Sequence, residues 1–77
     1  MRITDLEAGQ TYVVTQPFRD HYGTLVHAGD LQTYEGYSFL PVHGGFTVRF
    51  RQETLYFQEG DQAEIVEHAE RFFQPVG

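Results

Sequence analysis

The segment that decides the fold is Tyr37-Ser38-Phe39-Leu40-Pro41-Val42-His43-Gly44-Gly45-Phe46. Two aromatic residues of a predicted strand lead into Pro41, which fixes one backbone torsion and removes an N–H donor. The two glycines tolerate the positive torsions of a tight turn, and Phe46 begins a second aromatic segment. The segment therefore predicts a strand, a short loop and a return strand.

The chain on either side of this hairpin also predicts strands, because apolar and polar residues alternate with period two. The middle strand changes parity at Gly36, so Tyr34 shares a face with Tyr37 and Phe39 only if a β-bulge separates them. Such a bulge would bend the sheet as a small barrel requires. The predicted strands are residues 10–18, 24–27, 31–39, 46–51 and 54–58.

The carboxy-terminal segment predicts the only helix. Asp61-Gln62-Ala63-Glu64 has the spacing of a capping box, in which an N-cap acceptor is followed three residues later by an acid. Apolar residues then recur at helical spacing, and Pro75 ends the helix. The predicted helix spans residues 61–73 and buries Ile65, Ala69, Phe72 and Phe73.

These elements predict a mainly β fold in a single domain of residues 1–77. Residues 1–9 lead in, and residues 10–58 form a small five-stranded, partly open SH3-like barrel. The C-terminal α-helix covers one end of the barrel. A chain of this length buries only roughly 60% of its surface on folding. Seven Phe and five Tyr residues are therefore expected to fill the core.

The formal net charge of −6 limits the classes of partner. Eleven carboxylates outnumber five Arg residues, and the resulting field repels nucleic-acid phosphates and anionic lipids. We expect no nucleic-acid partner and no membrane partner, and a protein partner with a basic surface. No apolar run has the length of a signal-peptide core or a bilayer span, which favours a cytoplasmic location.

A pattern of turn glycines and strand aromatics comprises Phe18-Arg19-Asp20, Gly23, His27, Gly29-Asp30, Gly36, Phe39-Leu40-Pro41, Gly45 and Val48. It resembles a small bacterial domain family of unknown function, which occurs as stand-alone proteins or appended modules. The resemblance covers residues 6–51 and implies an SH3-like barrel without implying an activity. The chain departs from the family at Leu31, where a larger aromatic is common nearby. It departs again at His43-Gly44, which replaces an acidic pair, so any role of that pair is absent.

Few residues could support catalysis. The chain has neither Cys nor Lys, and its single serine, Ser38, lies inside a predicted strand rather than on an exposed turn. We therefore expect a protein that is not an enzyme and holds no cofactor. An alternative is a small-ligand or metal site built on His21, His27 and Asp30, although their spacing matches no metal motif.

The tyrosines supply the main functional signal, since they exceed what so small a core buries together with seven Phe residues. The leading hypothesis is a non-enzymatic, acidic protein-binding module, such as an inhibitor, an immunity protein or an accessory subunit. Another alternative is a structural homo-oligomer, for example a homodimer, whose aromatic patch is used for self-association. The predicted partner-binding residues are Tyr34, Tyr37, His43, Phe46, Glu64 and Glu67.

Overall fold

The computed structural model describes all residues, from Met1 to Gly77. Two 3-10 helices, Ile3–Asp5 and Ala69–Arg71, accompany one short α-helix, α1, Ala63–Glu67. The strands are β1 Thr11–Val14, β2 Phe18–Arg19, β3 Leu25–Val26, β4 Leu31–Leu40, β5 Gly45–Phe50, β6 Thr54–Gln58 and β7 Phe73–Pro75. No helix is long and apolar enough to cross a membrane.

Five of the strands form one antiparallel sheet in the order β6-β5-β4-β1-β7, and β2 and β3 form a separate hairpin. The protein is thus mainly β, as predicted. The sheet is not closed into a barrel, however, so the expected SH3-like barrel is not confirmed.

The central hairpin of β4 and β5 forms as predicted, with Leu40 opposite Gly45 and Phe39 opposite Phe46. The register shifts between Tyr34 and Gly36, which is the β-bulge that the change of parity required.

The first predicted strand, residues 10–18, is wrong as one element. It ends at Val14, and Phe18 belongs to the separate hairpin. Pro17 has no N–H to donate to a ladder, and the Thr15 N–H instead binds the carbonyl of Phe72 at 2.8 Å.

The predicted helix over residues 61–73 is also wrong in extent. The Asp61 capping box does not form, because the residue preceding α1 is Gln62, whose side chain makes no capping bond. At His68 the backbone leaves helical geometry, with φ −130° and ψ 54°. Phe73 then pairs with Val14 in β7, so sheet pairing overrides the helical spacing of the apolar residues.

The core lies on one face of the sheet, which we call the inner face. The 3-10 helix Ile3–Asp5 contacts α1, and side chains from both pack against this face. The predicted burial of Ile65, Ala69, Phe72 and Phe73 is confirmed even though they do not share one helix.

Candidate functional site

The opposite, outer face of the sheet carries the candidate site. In β5 the buried Phe46 and Val48 point inward, so Thr47 between them lies on the outer face. Tyr56 of β6 pairs with Thr47 and shares that face. The outer face therefore presents an aromatic ring at the β6 side of the sheet.

A buried carboxylate places a second aromatic ring beside Tyr56. One oxygen of Asp20, Oδ1, accepts the backbone N–H groups of Tyr22 at 3.0 Å and Thr24 at 2.8 Å. The other oxygen, Oδ2, accepts the N–H of Tyr56 at 3.1 Å, and the N–H of His21 binds the carbonyl of Tyr56 at 2.6 Å. These bonds hold the turn after β2 against the edge of β6.

As a result, Tyr22 packs edge to face on Tyr56, with ring centroids 5.0 Å apart, and the His21 ring packs on Tyr22 at the same distance. Tyr22 is 72% exposed and Tyr56 is 38% exposed, so neither ring belongs to the core. The three side chains form one wall of a groove.

The groove has a volume of about 440 Å³, and Leu40 and His43 from the β4–β5 hairpin line it as well. Leu40 is 59% exposed. The remaining lining comes from residues of β5 and β6, namely Gly45, Phe46, Thr47, Phe57 and Gln58. We call this site the aromatic groove.

No Asp, Glu or Arg side chain lines the aromatic groove, but Glu59 and Arg49 lie on neighbouring parts of the sheet. The Glu59 carboxylate lies beside the Gly44 backbone, since a Cβ at Gly44 would be 3.8 Å from its Oε2. Arg2 approaches the other oxygen of Glu59 at 3.3 Å. Two positions beyond Thr47 on the outer face, Arg49 donates to the Ser38 hydroxyl at 3.1 Å and has no carboxylate partner.

Two of the predicted partner-binding residues, Tyr34 and Phe46, are largely buried, although Phe46 is also one of the residues that line the aromatic groove. Tyr34 is buried because its ring packs edge to face against Phe50, with centroids 5.8 Å apart. Phe46 is buried beneath Tyr37 and Phe39. Tyr37 is exposed, but it does not line the aromatic groove.

The other predicted residues are divided between two places. His43 lines the aromatic groove. Glu64 and Glu67 lie on α1 and form ion pairs, Glu64 with Arg71 at 3.5 Å and Glu67 with Arg2 at 3.2 Å. The structure therefore does not bring the predicted tyrosines and glutamates into one site.

The alternative site on His21, His27 and Asp30 has no supporting geometry. No group of three or more His, Asp or Glu side chains gathers in an arrangement that could hold a metal ion. Asp30 instead accepts the His27 N–H at 2.9 Å, while His21 belongs to the aromatic groove.

The sequence interpretation missed Asp20, Tyr22 and Tyr56 as site residues. A signal existed for Tyr56, because it alternates with apolar Leu55 and Phe57 and so must face away from the core. No sequence signal indicated that Tyr22 lies beside Tyr56, because this contact joins segments that are far apart in the chain.

Comparison with known proteins finds a solved structure with a similar fold. No protein-family model matches the chain, and no curated protein matches it. A solved structure, the integron cassette protein VCH_CASS4 from the mobile metagenome of Vibrio cholerae, is 27% identical, with a TM-score of 0.89. The similarity covers 92% of this chain and 88% of that chain, so the two proteins share the fold over nearly their whole length.

Proposed function

We propose that the chain is a non-enzymatic protein-binding module whose contact surface is the aromatic groove. The observation that carries this proposal is the exposed Tyr22–Tyr56 pair, which the buried Asp20 carboxylate holds in place. Large aromatic side chains fixed at a surface contribute strongly to protein interfaces, since they bury much area and lose little conformational freedom.

The partner we propose has a basic surface. A formal net charge of −6 attracts cationic proteins over long range and speeds their association. At short range an Arg or Lys side chain in the groove would stack on the Tyr22 or Tyr56 ring.

The lack of a thiol, a lysine amine and a serine activated by a base supports a binding role over an enzymatic one. The chain has no Cys and no Lys, and the hydroxyl of its single serine, Ser38, accepts a bond from Arg49 on the sheet surface. No histidine lies within hydrogen-bond distance of Ser38 to act as a base.

We also propose an SH3-like arrangement of the sheet. The last strand, β7, lies beside the first strand, β1. On the other side of β1, the strands β4, β5 and β6 lie next to one another in chain order. The bonds from Asp20 and His21 to Tyr56 bring the β2–β3 hairpin against the other edge, which supports partial closure. The bacterial source of the similar structure supports membership in a bacterial family of small modules. An inhibitor, immunity or accessory protein acting in the cytoplasm is the role we favour.

The test is capture of partners from a lysate of the source organism, followed by measurement of the affinity of each purified partner. Tyr22→Ala/Tyr56→Ala should weaken binding at least about 30-fold if the pair is a hot spot. Leu31→Ala is the matched control, because Leu31 is also exposed but lies outside the groove.

The proposal further requires that the partner surface be basic and that affinity fall as salt rises. A partner that binds the double variant and the wild type equally, while the double variant stays folded, would show that the groove is not the contact surface.

A further inference from the structure

Two of the four histidines of the chain, His21 and His43, line the aromatic groove. They come from different segments, since His21 lies in the turn between β2 and β3 and His43 lies in the loop between β4 and β5. Both residues are exposed to solvent. The groove therefore contains two side chains that can change their charge close to neutral pH.

Backbone hydrogen bonds hold both histidines in place. The His21 N–H binds the carbonyl of Tyr56 at 2.6 Å, and the His43 N–H binds the carbonyl of Leu40 at 3.1 Å. Neither imidazole forms an ion pair with a carboxylate. A proton gained by either ring would therefore add a positive charge without a carboxylate in contact with it.

The charged groups around His21 do not neutralise such a charge. In its own turn the Asp20 carboxylate and the Arg19 guanidinium carry opposite charges, and both are held by backbone groups. From β6, Tyr56 faces this turn, and Tyr22 packs between the two rings. Phenols carry no charge near neutral pH, so the nearby charges offset one another.

The charged groups around His43 give the same result. The Glu59 carboxylate lies beside the backbone of the neighbouring Gly44, and Arg2 approaches it at 3.3 Å. From β5, Arg49 carries a positive charge and has no carboxylate partner. A proton on His43 therefore adds positive charge to this part of the groove.

The contact between His21 and Tyr22 links protonation to the ring on which a cation would stack. The two ring centroids are 5.0 Å apart, and the ring planes are inclined by 64°. When His21 gains a proton, its imidazolium is itself a cation beside the Tyr22 ring, within the distance of a cation–π contact. It then competes with an Arg or Lys side chain of the partner for that ring.

We propose that the aromatic groove is a pH-sensitive site, which binds a basic partner while His21 and His43 are neutral and releases it when both gain a proton. The proposal rests on the proposed function, because it requires a cationic group of the partner in the groove. Like charges brought together in an interface oppose binding. An ordinary imidazole gains its proton at about pH 6.5, so release occurs as the pH falls through that value.

The net charge of the chain does not by itself cause this release. Asp and Glu carboxylates titrate near pH 4 in general, so they stay ionised while the histidines titrate. Protonation of all four histidines changes the formal net charge from −6 to −2, and the chain still attracts cations over long range. The position of two of these charges in the groove is what the proposal requires.

The test measures binding of a capped peptide of three arginines, which contains no histidine, by NMR shifts of the Tyr22 and Tyr56 rings. For the wild type, the dissociation constant should rise at least about 10-fold between about pH 7.5 and about pH 5.5. Circular dichroism at both pH values checks that the chain stays folded.

Two double variants remove equal numbers of imidazoles from different places. In His21→Gln/His43→Gln, the ratio of the dissociation constants at the two pH values should fall below about 3-fold. In His27→Gln/His68→Gln, the ratio should stay at the wild-type value, because both residues lie outside the groove. The ratio is compared within each variant, so affinity lost by changing the groove wall does not affect it.

His43→Lys tests the same charge at neutral pH. Lys is protonated throughout this pH range, so the variant should weaken peptide binding at about pH 7.5 by at least about 3-fold. His27→Lys is the matched control, because it changes the net charge equally at an exposed position outside the groove. Its affinity should stay within about a factor of two of the wild type.

The outcomes separate this proposal from the proposed function. Equal pH ratios in the wild type and in His21→Gln/His43→Gln, with the peptide still bound at neutral pH, would overturn the pH response and leave the binding role standing. Failure of the wild type to bind the peptide at neutral pH, or unchanged binding after Tyr22→Ala/Tyr56→Ala, would contradict both.

Discussion

The Asp20 carboxylate and the Tyr56 backbone, 36 residues apart in the chain, are joined by a hydrogen bond of 3.1 Å. The same carboxylate also accepts two N–H groups of its own turn. One buried side chain thereby fixes the turn, caps the edge of β6 and sets the distance between the Tyr22 and Tyr56 rings.

Asp20→Ala should lower the free energy of unfolding by about 3 kcal/mol, since it leaves three backbone donors without their acceptor at a buried site. Urea unfolding monitored by circular dichroism measures this loss. Asp30→Ala is the matched control, because Asp30 accepts only one backbone N–H, from His27. This substitution should lower the free energy of unfolding by only about 1 kcal/mol. Equal losses in the two variants would contradict the role assigned to Asp20.

Tyr34→Phe should change the response to alkaline pH. Burial raises the pKa of Tyr34 above its ordinary value of 10.0, so above that pH the unfolded chain loses the proton first. The wild type therefore loses stability as pH rises from 10.0 toward the raised pKa, and the variant lacks this contribution.

At neutral pH the same variant should be as stable as the wild type or more stable by up to about 1 kcal/mol, because the Tyr34 hydroxyl is buried without a hydrogen-bond partner. Thermal unfolding at about pH 9 and pH 11, on either side of the ordinary tyrosine pKa, makes the comparison. Identical alkaline losses in the two proteins would argue against a buried, protonated Tyr34.

Phe73→Ala should cost about 3–5 kcal/mol, the range for removing a buried phenylalanine. The Phe73 ring stacks on Phe50 with centroids 5.6 Å apart and also packs on Phe18 and Tyr12. Val76→Ala, three residues on and 45% exposed, should change stability by less than about 1 kcal/mol. Chemical denaturation of both variants checks the position of β7, and similar small effects would contradict it.

The strands were largely predictable because each depends on local pattern. Gly44 adopts a φ of 62° in the loop between β4 and β5, a conformation that its sequence position indicated. The alternation of Leu55, Tyr56 and Phe57 also sufficed to place Tyr56 outward. The bulge beside Gly36 was predictable from the alternation of the strand. Without it, Tyr34 would face the opposite side of the sheet from Tyr37 and Phe39.

The carboxy-terminal segment shows the limit of such reasoning. The spacing of Phe72 and Phe73 fits a continued helix, but the same two residues can also be buried in a turn followed by a strand. Their environment decided the outcome, because β1 offered an unpaired edge and Phe18, Phe50 and Tyr12 surround the Phe73 ring.

The sequence by itself determined the mainly β class, the central hairpin, the bulge and the acidic charge, because each depends on neighbouring residues or on composition. Only the tertiary structure decided that Tyr34 is buried, that Tyr22 meets Tyr56 and that His21 and His43 line the same groove. These features depend on contacts between distant segments, whose free energies are set by packing and backbone pairing that no local pattern records.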